Sequence, residues 1–151
     1  MPAQRVVPSF HQERNPQMSS PSRTTANLGY PRIGRHRELK FALEDFWRGR
    51  LSESDLLTTA KTLRQRNWQL QRDAGLDVIP SNDFSFYDQV LDALVLVGAT
   101  PSRFGAGPVT LTRYFQMARN SNEQTAMEMT KWFDTNYHYL VPEWSDDLAF
   151  T

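Results

Sequence analysis

The sequence contains no cysteine, and that absence removes a disulfide framework, a thiol nucleophile and every zinc site built with a thiolate. It has 3 histidines, His11, His36 and His138, spread too widely to resemble a helical pair of metal ligands, so no bound metal or other cofactor is expected in this chain. An excess of charge of one sign is missing too. The 17 basic and 17 acidic side chains leave a formal net charge of zero, so no global field draws the chain to nucleic acid or to an anionic membrane. Any anion site must be local. No apolar run approaches the roughly 18–20 residues of a membrane span, and the start lacks the basic-then-apolar layout of a signal peptide. The cytosol is therefore the default compartment. What is present is 151 residues, 39% hydrophobic and 12% aromatic, which is enough apolar material for one globular unit with a genuine core.

Residues 1–26 are rich in Pro, Ser, Gln and Arg and have almost no periodic apolar positions. Such a stretch buries too little surface to offset the entropy of ordering, and is expected to be a disordered leader. Its Ser and Arg content, with Glu13 as the one acid, leaves an organellar transit peptide as the weaker alternative, and Met18 is an alternative start.

From Asn27 the pattern changes. A short extended run over 27–30 is closed by Pro31 and Gly34, and a helix follows in which Leu39, Leu43, Phe46 and Trp47 form one apolar stripe that Gly49 ends. Ser52 with Asp55 three residues on is close to a capping box, and Leu56, Ala60 and Leu63 carry a second stripe toward Trp68, with Gly75 as its stop. A short buried strand is predicted over 76–80. Tyr87, Val90, Leu91, Leu94 and Val97 predict a helix over 86–97 that stops at Gly98. A loop over 101–108, a helix from a Thr110 cap to about Arg119, a polar connection over 120–124 and an extended segment over 129–133 complete the chain. Strands alternating with helices predict an α/β fold with parallel strands and right-handed crossovers. Three such strands leave two bare sheet edges, so the pattern reads as part of a larger architecture.

Three clusters could carry chemistry. Arg32, Arg35, His36, Arg37 and Lys40 surround the first turn of the first long helix, where the macrodipole disfavours positive charge. Two accounts are open: basic side chains and free backbone N–H groups converging on a phosphate or carboxylate, or a solvated basic turn paired with Glu38 and Asp45. The second cluster, Lys131 through Glu143, packs Trp132, Phe133, Asp134, Asn136, Tyr137, His138 and Tyr139 behind a predicted strand, where pocket linings occur. Here Lys131 is either a surface lysine or a ligand contact, and His138 reads as a hydrogen-bonded loop histidine because no acid and nucleophile surround it. In the third, SNDFSFYDQV, Asp83 and Ser85 are natural helix caps and Asp88 falls in the first turn. Phe84, Phe86 and Tyr87 read as core or pocket wall.

The segments NLGYPRIGRHRELK (27–40), AGLDVIPSNDFSFYDQVL (74–91) and MTKWFDTNYHYLVPE (129–143), in this order, resemble the amino-terminal domain of the cobalamin-independent methionine synthases. The resemblance implies a partial (β/α)8 barrel, its first two to three βα units, with residues 27–151 as an incomplete amino-terminal barrel domain. Whole members are similar to two face-to-face barrels that transfer a methyl group from 5-methyltetrahydropteroyl-triglutamate to homocysteine. Their zinc lies in the carboxyl-terminal barrel on histidine, cysteine and glutamate, and none of those ligands is matched here. The resemblance implies that Arg37, Glu38, Leu39 and Lys40 contact the folate substrate together with Lys131, and assigns no catalytic residue to this chain. The lead-in NSNEQTAMEMT departs from the small-residue-rich character of the family. The expected function is a share in binding the folate polyglutamate, with the carboxyl-terminal barrel as a partner and no synthase activity from this chain alone. The alternatives are a stand-alone module that binds folate polyglutamate, another anion or a partner, and a non-functional remnant.

Overall fold

The computed structural model describes residues 23–121 and 123–146. The leader reading therefore lies outside the described residues up to position 22. Four α-helices run over Glu38–Trp47 (α1), Glu53–Asp73 (α2), Gln89–Leu96 (α3) and Leu111–Ala118 (α4), with a 3-10 turn at Ser102–Phe104. Two strands, Met129–Lys131 (β1) and His138–Leu140 (β2), close the described chain.

α1 forms where the sequence places a stripe, and Leu39, Ala42 and Leu43 on it are buried. They belong to one core with Leu56, Ala60 and Leu63 of α2. Each fully buried leucine contributes about 1.5–3 kcal/mol of transfer free energy. α2 starts as predicted: the Ser52 hydroxyl oxygen accepts the Asp55 N–H at 3.1 Å. It ends at Gly75, whose φ of 82° is the left-handed geometry that a side chain disfavours.

The apolar stripe of α2 does not continue to Trp68, which is 37% exposed. It continues through Asn67 and Gln71, both buried, because they face the polar groups of the segment over 27–31 rather than another helix. Asn67 donates to the Pro31 carbonyl at 3.3 Å, and Gln71 donates to the Asn67 carbonyl at 3.0 Å while accepting from the Asn27 side-chain amide at 2.9 Å. Amide side chains satisfy polar backbone that apolar ones would leave unpaired.

The expected strands are reduced. The 76–80 segment forms one parallel bridge, Ala26 with Val78, and Val78 is 53% exposed, so the predicted buried strand is corrected to an open one. Thr25 already belongs to this contact: its carbonyl accepts the N–H groups of Asp77 and Val78, and its own N–H and hydroxyl donate to the Asp77 carboxylate at 2.8 Å. The sheet that does form is antiparallel, with Met129 opposite Leu140 and Lys131 opposite His138. This corrects the expectation of parallel strands there. Residues 132–137 are too few for a parallel crossover and suffice for a hairpin. What stands is an α/β arrangement of helices and a small sheet.

The helix predicted over 86–97 begins later, at Gln89. Asp88 is its cap, accepting the Leu91 N–H at 3.1 Å, in place of the expected Asp83 and Ser85. Asp83 instead accepts the Tyr30 N–H at 2.7 Å, while Ser85 is buried. Phe84, Phe86 and Tyr87 pack against the core as expected, with Phe86 edge-on to Phe115 and Tyr87 edge-on to Trp47. Thr110 caps α4 as predicted, accepting the Arg113 N–H at 3.2 Å.

Candidate functional site

The first candidate segment turns sharply before α1. Gly34 has φ 89° and Arg37, at the helix N-cap, has φ 64°, a conformation that costs a non-glycine residue about 1–2 kcal/mol. Closing the turn, the Arg37 N–H donates to the Gly34 carbonyl at 3.1 Å and the Leu39 N–H to the Ile33 carbonyl at 3.0 Å. The Glu38 carboxylate folds back to accept the His36 N–H at 2.9 Å and faces Arg66 at 3.5 Å. Hydrogen bonding from its own backbone N–H, then from that of His36, and the charge of Arg66 hold Glu38 below the usual carboxylate range. The anion favoured by the helix dipole is thus supplied from within, by Glu38.

The amides of His36, Arg37 and Leu39 are thus occupied within the turn. The arrangement also removes the pairing expected of a merely solvated basic turn, since Glu38 turns to Arg66 and Asp45 pairs with Arg50. Arg35, His36 and Arg37 are exposed. Lys40 lies 3.5 Å from Glu44, one turn on, and Leu39 is completely buried in the core. Within the four-residue segment only Arg37 and Lys40 therefore present cationic side chains outward. Beside them a cleft of about 540 Å³ is lined by Tyr30, Pro31, Gly34, Arg35, Arg66 and Leu70.

Lys131 is exposed at the end of β1, opposite His138. Beyond it the Trp132 N–H donates to the Tyr137 carbonyl at 2.8 Å, and Phe133 takes φ 46° at the tip. Trp132 stacks edge-on to Phe133 and Tyr139, with ring centroids 5.1 and 5.4 Å apart. The His138 Nδ1 lies 3.2 Å from the Asn136 carbonyl, the local contact expected of a loop histidine. Arg37 and Lys131 have no carboxylate within ion-pair distance among the described residues.

Tyr87 and Asp88, which the sequence places in the third cluster as pocket wall and first-turn acid, join these two segments. Arg32 donates to the Tyr87 carbonyl at 3.1 Å and so ties the first segment to this junction. The Asp88 carboxylate is buried. It accepts the Tyr137 hydroxyl at 2.7 Å on one oxygen and the Leu91 and Leu140 N–H groups, at 3.1 and 3.3 Å, on the other. Burial, then the hydrogen bond to Asp88 and its charge, push the Tyr137 hydroxyl up to about 12 against the opposing charge of Arg32. Tyr114 donates to Asp92 at 2.6 Å and accepts the Tyr87 N–H at 3.2 Å. Burial raises the Asp92 carboxyl above its ordinary range; the Tyr114 hydrogen bond opposes that, and the negative charge of Asp88 adds to it. An acid three residues before an apolar position is a legible cap, but nothing local announced Tyr137 as its partner.

Among the described residues no group of three or more His, Asp or Glu side chains is placed to hold a metal ion, and no helix is long and apolar enough to cross a membrane. The donor set does not fit the zinc of the resembled family.

Comparison with known proteins agrees with the motifs. Residues 24–151 match the family described as cobalamin-independent synthase, N-terminal domain. The chain is 55% identical over 139 residues to the 5-methyltetrahydropteroyltriglutamate–homocysteine methyltransferase of Salinibacter ruber, covering 85% of this chain and 18% of the relative. The protein of the same description from Ralstonia pickettii is 58% identical over 127 residues, covering 83% and 16%. That from Mesorhizobium japonicum is 52% identical over 145 residues, covering 83% and 19%. The chain thus spans under a fifth of the length of these relatives. With three collinear motifs, a family match over nearly all described residues and identities above half, the chain belongs to the cobalamin-independent synthase family and corresponds to its N-terminal domain.

Proposed function

We propose that this chain is an amino-terminal part of a cobalamin-independent methionine synthase and contributes to holding the polyglutamate tail of 5-methyltetrahydropteroyl-triglutamate during methyl transfer to homocysteine. The observation that carries the proposal is a pair of exposed cations on the two motif segments, Arg37 and Lys131, neither of which has a carboxylate partner among the described residues. A tail of carboxylates is the ligand such cations suit. Lys40 adds a third positive group once it leaves Glu44. Glu38 and Leu39 act on this reading by holding the turn, through the carboxylate that closes it and the side chain that roots it in the core.

Residues 27–151 belong, on the same reading, to the first two to three βα units of an incomplete (β/α)8 barrel. The parallel bridge between Ala26 and Val78, spanned by α1 and α2, supports it, since a parallel pair joined through helices is the unit from which such barrels are built. The thiolate chemistry belongs to a zinc-holding carboxyl-terminal barrel, in the same or a separate chain. This chain contributes substrate binding and no catalytic group.

Calorimetry with triglutamylated 5-methyltetrahydrofolate tests the proposal. Arg37→Ala and Lys131→Ala should each weaken binding about tenfold, the scale of one lost charge-assisted hydrogen bond. Binding unchanged in both variants would remove the assignment. A stand-alone anion-binding module is favoured by one other observation, the cleft bearing Arg35 and Arg66. Free triglutamate binding as tightly as the whole folate would select that reading.

A further inference from the structure

Lys131 is separated from the first motif segment by most of the chain, and its place depends on how the hairpin is fastened. Along the hairpin, Lys131 lies between two cross-strand ties: Met129 is opposite Leu140, and the Trp132 N–H meets the Tyr137 carbonyl. Both residues facing those ties, Tyr137 and Leu140, are held by one carboxylate. Asp88 takes the Tyr137 hydroxyl on Oδ1 and the Leu140 N–H on Oδ2. The same Oδ2 caps α3 through the Leu91 N–H, and the neighbouring Tyr87 carbonyl receives Arg32 from the turn that leads to Arg37. A buried acceptor with three partners, two of them backbone amides, is a rigid junction, because releasing it leaves polar groups unsatisfied in the interior.

We infer that Asp88 is a positioning residue for the proposed polyglutamate site: it pins both ends of the strand facing Lys131 and sets the spacing between Lys131 and the Arg37 turn without touching the ligand. The inference rests on the functional reading above. A ligand whose carboxylates are strung along several residues is sensitive to the spacing of the cations it bridges, whereas a ligand whose carboxylates sit on one residue does not span them. Asp88 therefore governs the gain in affinity from one glutamate to three.

The experiment uses the full chain, with Asp88→Asn and the milder Tyr137→Phe. Amide hydrogen exchange without ligand comes first. Both variants should speed exchange at Trp132 and Leu140 about tenfold, on the scale of a lost hydrogen bond to a charged group, while Leu56 and Leu63 in the α1–α2 core keep wild-type rates. Calorimetry then compares 5-methyltetrahydrofolate carrying one and three glutamates. The variants should lose most of the triglutamate preference and keep the monoglutamate affinity of the wild type. Unchanged exchange in Tyr137→Phe overturns the clamp. Faster exchange with an unchanged triglutamate preference overturns the positioning role and leaves Asp88 a structural cap. A wild-type chain that does not distinguish one glutamate from three overturns the functional reading itself, and that failure is distinguishable because the exchange result needs no ligand.

Discussion

Asp92 illustrates how a single side chain's environment becomes a measurable property of the protein. Burial raises its carboxyl, the Tyr114 hydroxyl partly relieves the charge, and Asp88 nearby aggravates it. A carboxyl raised in the folded state favours folding while protonated. Its contribution is present below the ordinary carboxylate pKa and is lost as pH rises through the folded value. Asp92→Asn keeps an acceptor for Tyr114 and removes the charge. The substitution should raise the neutral-pH melting temperature by about 1–3 °C, a modest shift because the group is partly screened by water. The advantage over wild type should shrink as pH is lowered toward 4, which thermal melts at a series of pH values would show; an advantage that grew instead would assign the raised carboxyl to another group. Nothing about Asp92 in the sequence signals this role, since its partner Tyr114 lies on a different helix.

At the scale of elements, the turn into α1 commits backbone geometry and charge together. Gly34 is required twice over: its φ of 89° suits glycine, and a Cβ there would run into the Glu38 carboxylate and the Leu63 side chain. Gly34→Ala should therefore cost about 1–3 kcal/mol in denaturant melts, more than the strain of a left-handed alanine alone. A cost near zero would mean that Glu38 is not folded back as described. The helices themselves were largely legible. Stripes at Leu39 and Leu43, or Leu56, Ala60 and Leu63, are local patterns, and the Ser52 and Thr110 caps depend on residues three positions away. The strands were not, because pairing depends on what lies opposite. The 129–133 run reads equally well as a parallel core strand or as one arm of a hairpin, and only the return of His138–Leu140 decides for the hairpin.

For the whole molecule, three lowered carboxyls fasten distant parts. Asp77 binds Thr25 near the start of the described chain, Glu38 reaches Arg66 across the α1–α2 pair, and Glu143 bonds Arg103 at 2.8 Å near its end. Hydrogen bonds from Thr25 lower Asp77, and the hydrogen bond from Arg103 lowers Glu143. A lowered carboxyl contributes stability above its unfolded pKa and loses it as pH falls through the folded value. Acid unfolding should accordingly set in below about pH 4, and Glu143→Gln should flatten part of that dependence, as equilibrium denaturation between pH 2 and 6 would reveal. An unaltered acid limb would place the sensitivity on other carboxyls.

By itself the sequence determined the family, through three collinear motifs, together with the helix stripes, most helix ends and the local nature of any anion site. These rest on residues a few positions apart, so spacing alone carries them. The tertiary structure decided which residues of Arg37–Lys40 face outward, that Glu38 supplies the anion at its own helix start, and that Asp88 fastens the hairpin bearing Lys131. Those outcomes depend on the folded geometry, in the local turn that brings the Glu38 carboxylate onto the His36 N–H and in partners tens of residues away, such as Tyr137 for Asp88, because a carboxylate's role is set by the donors that folding brings to it.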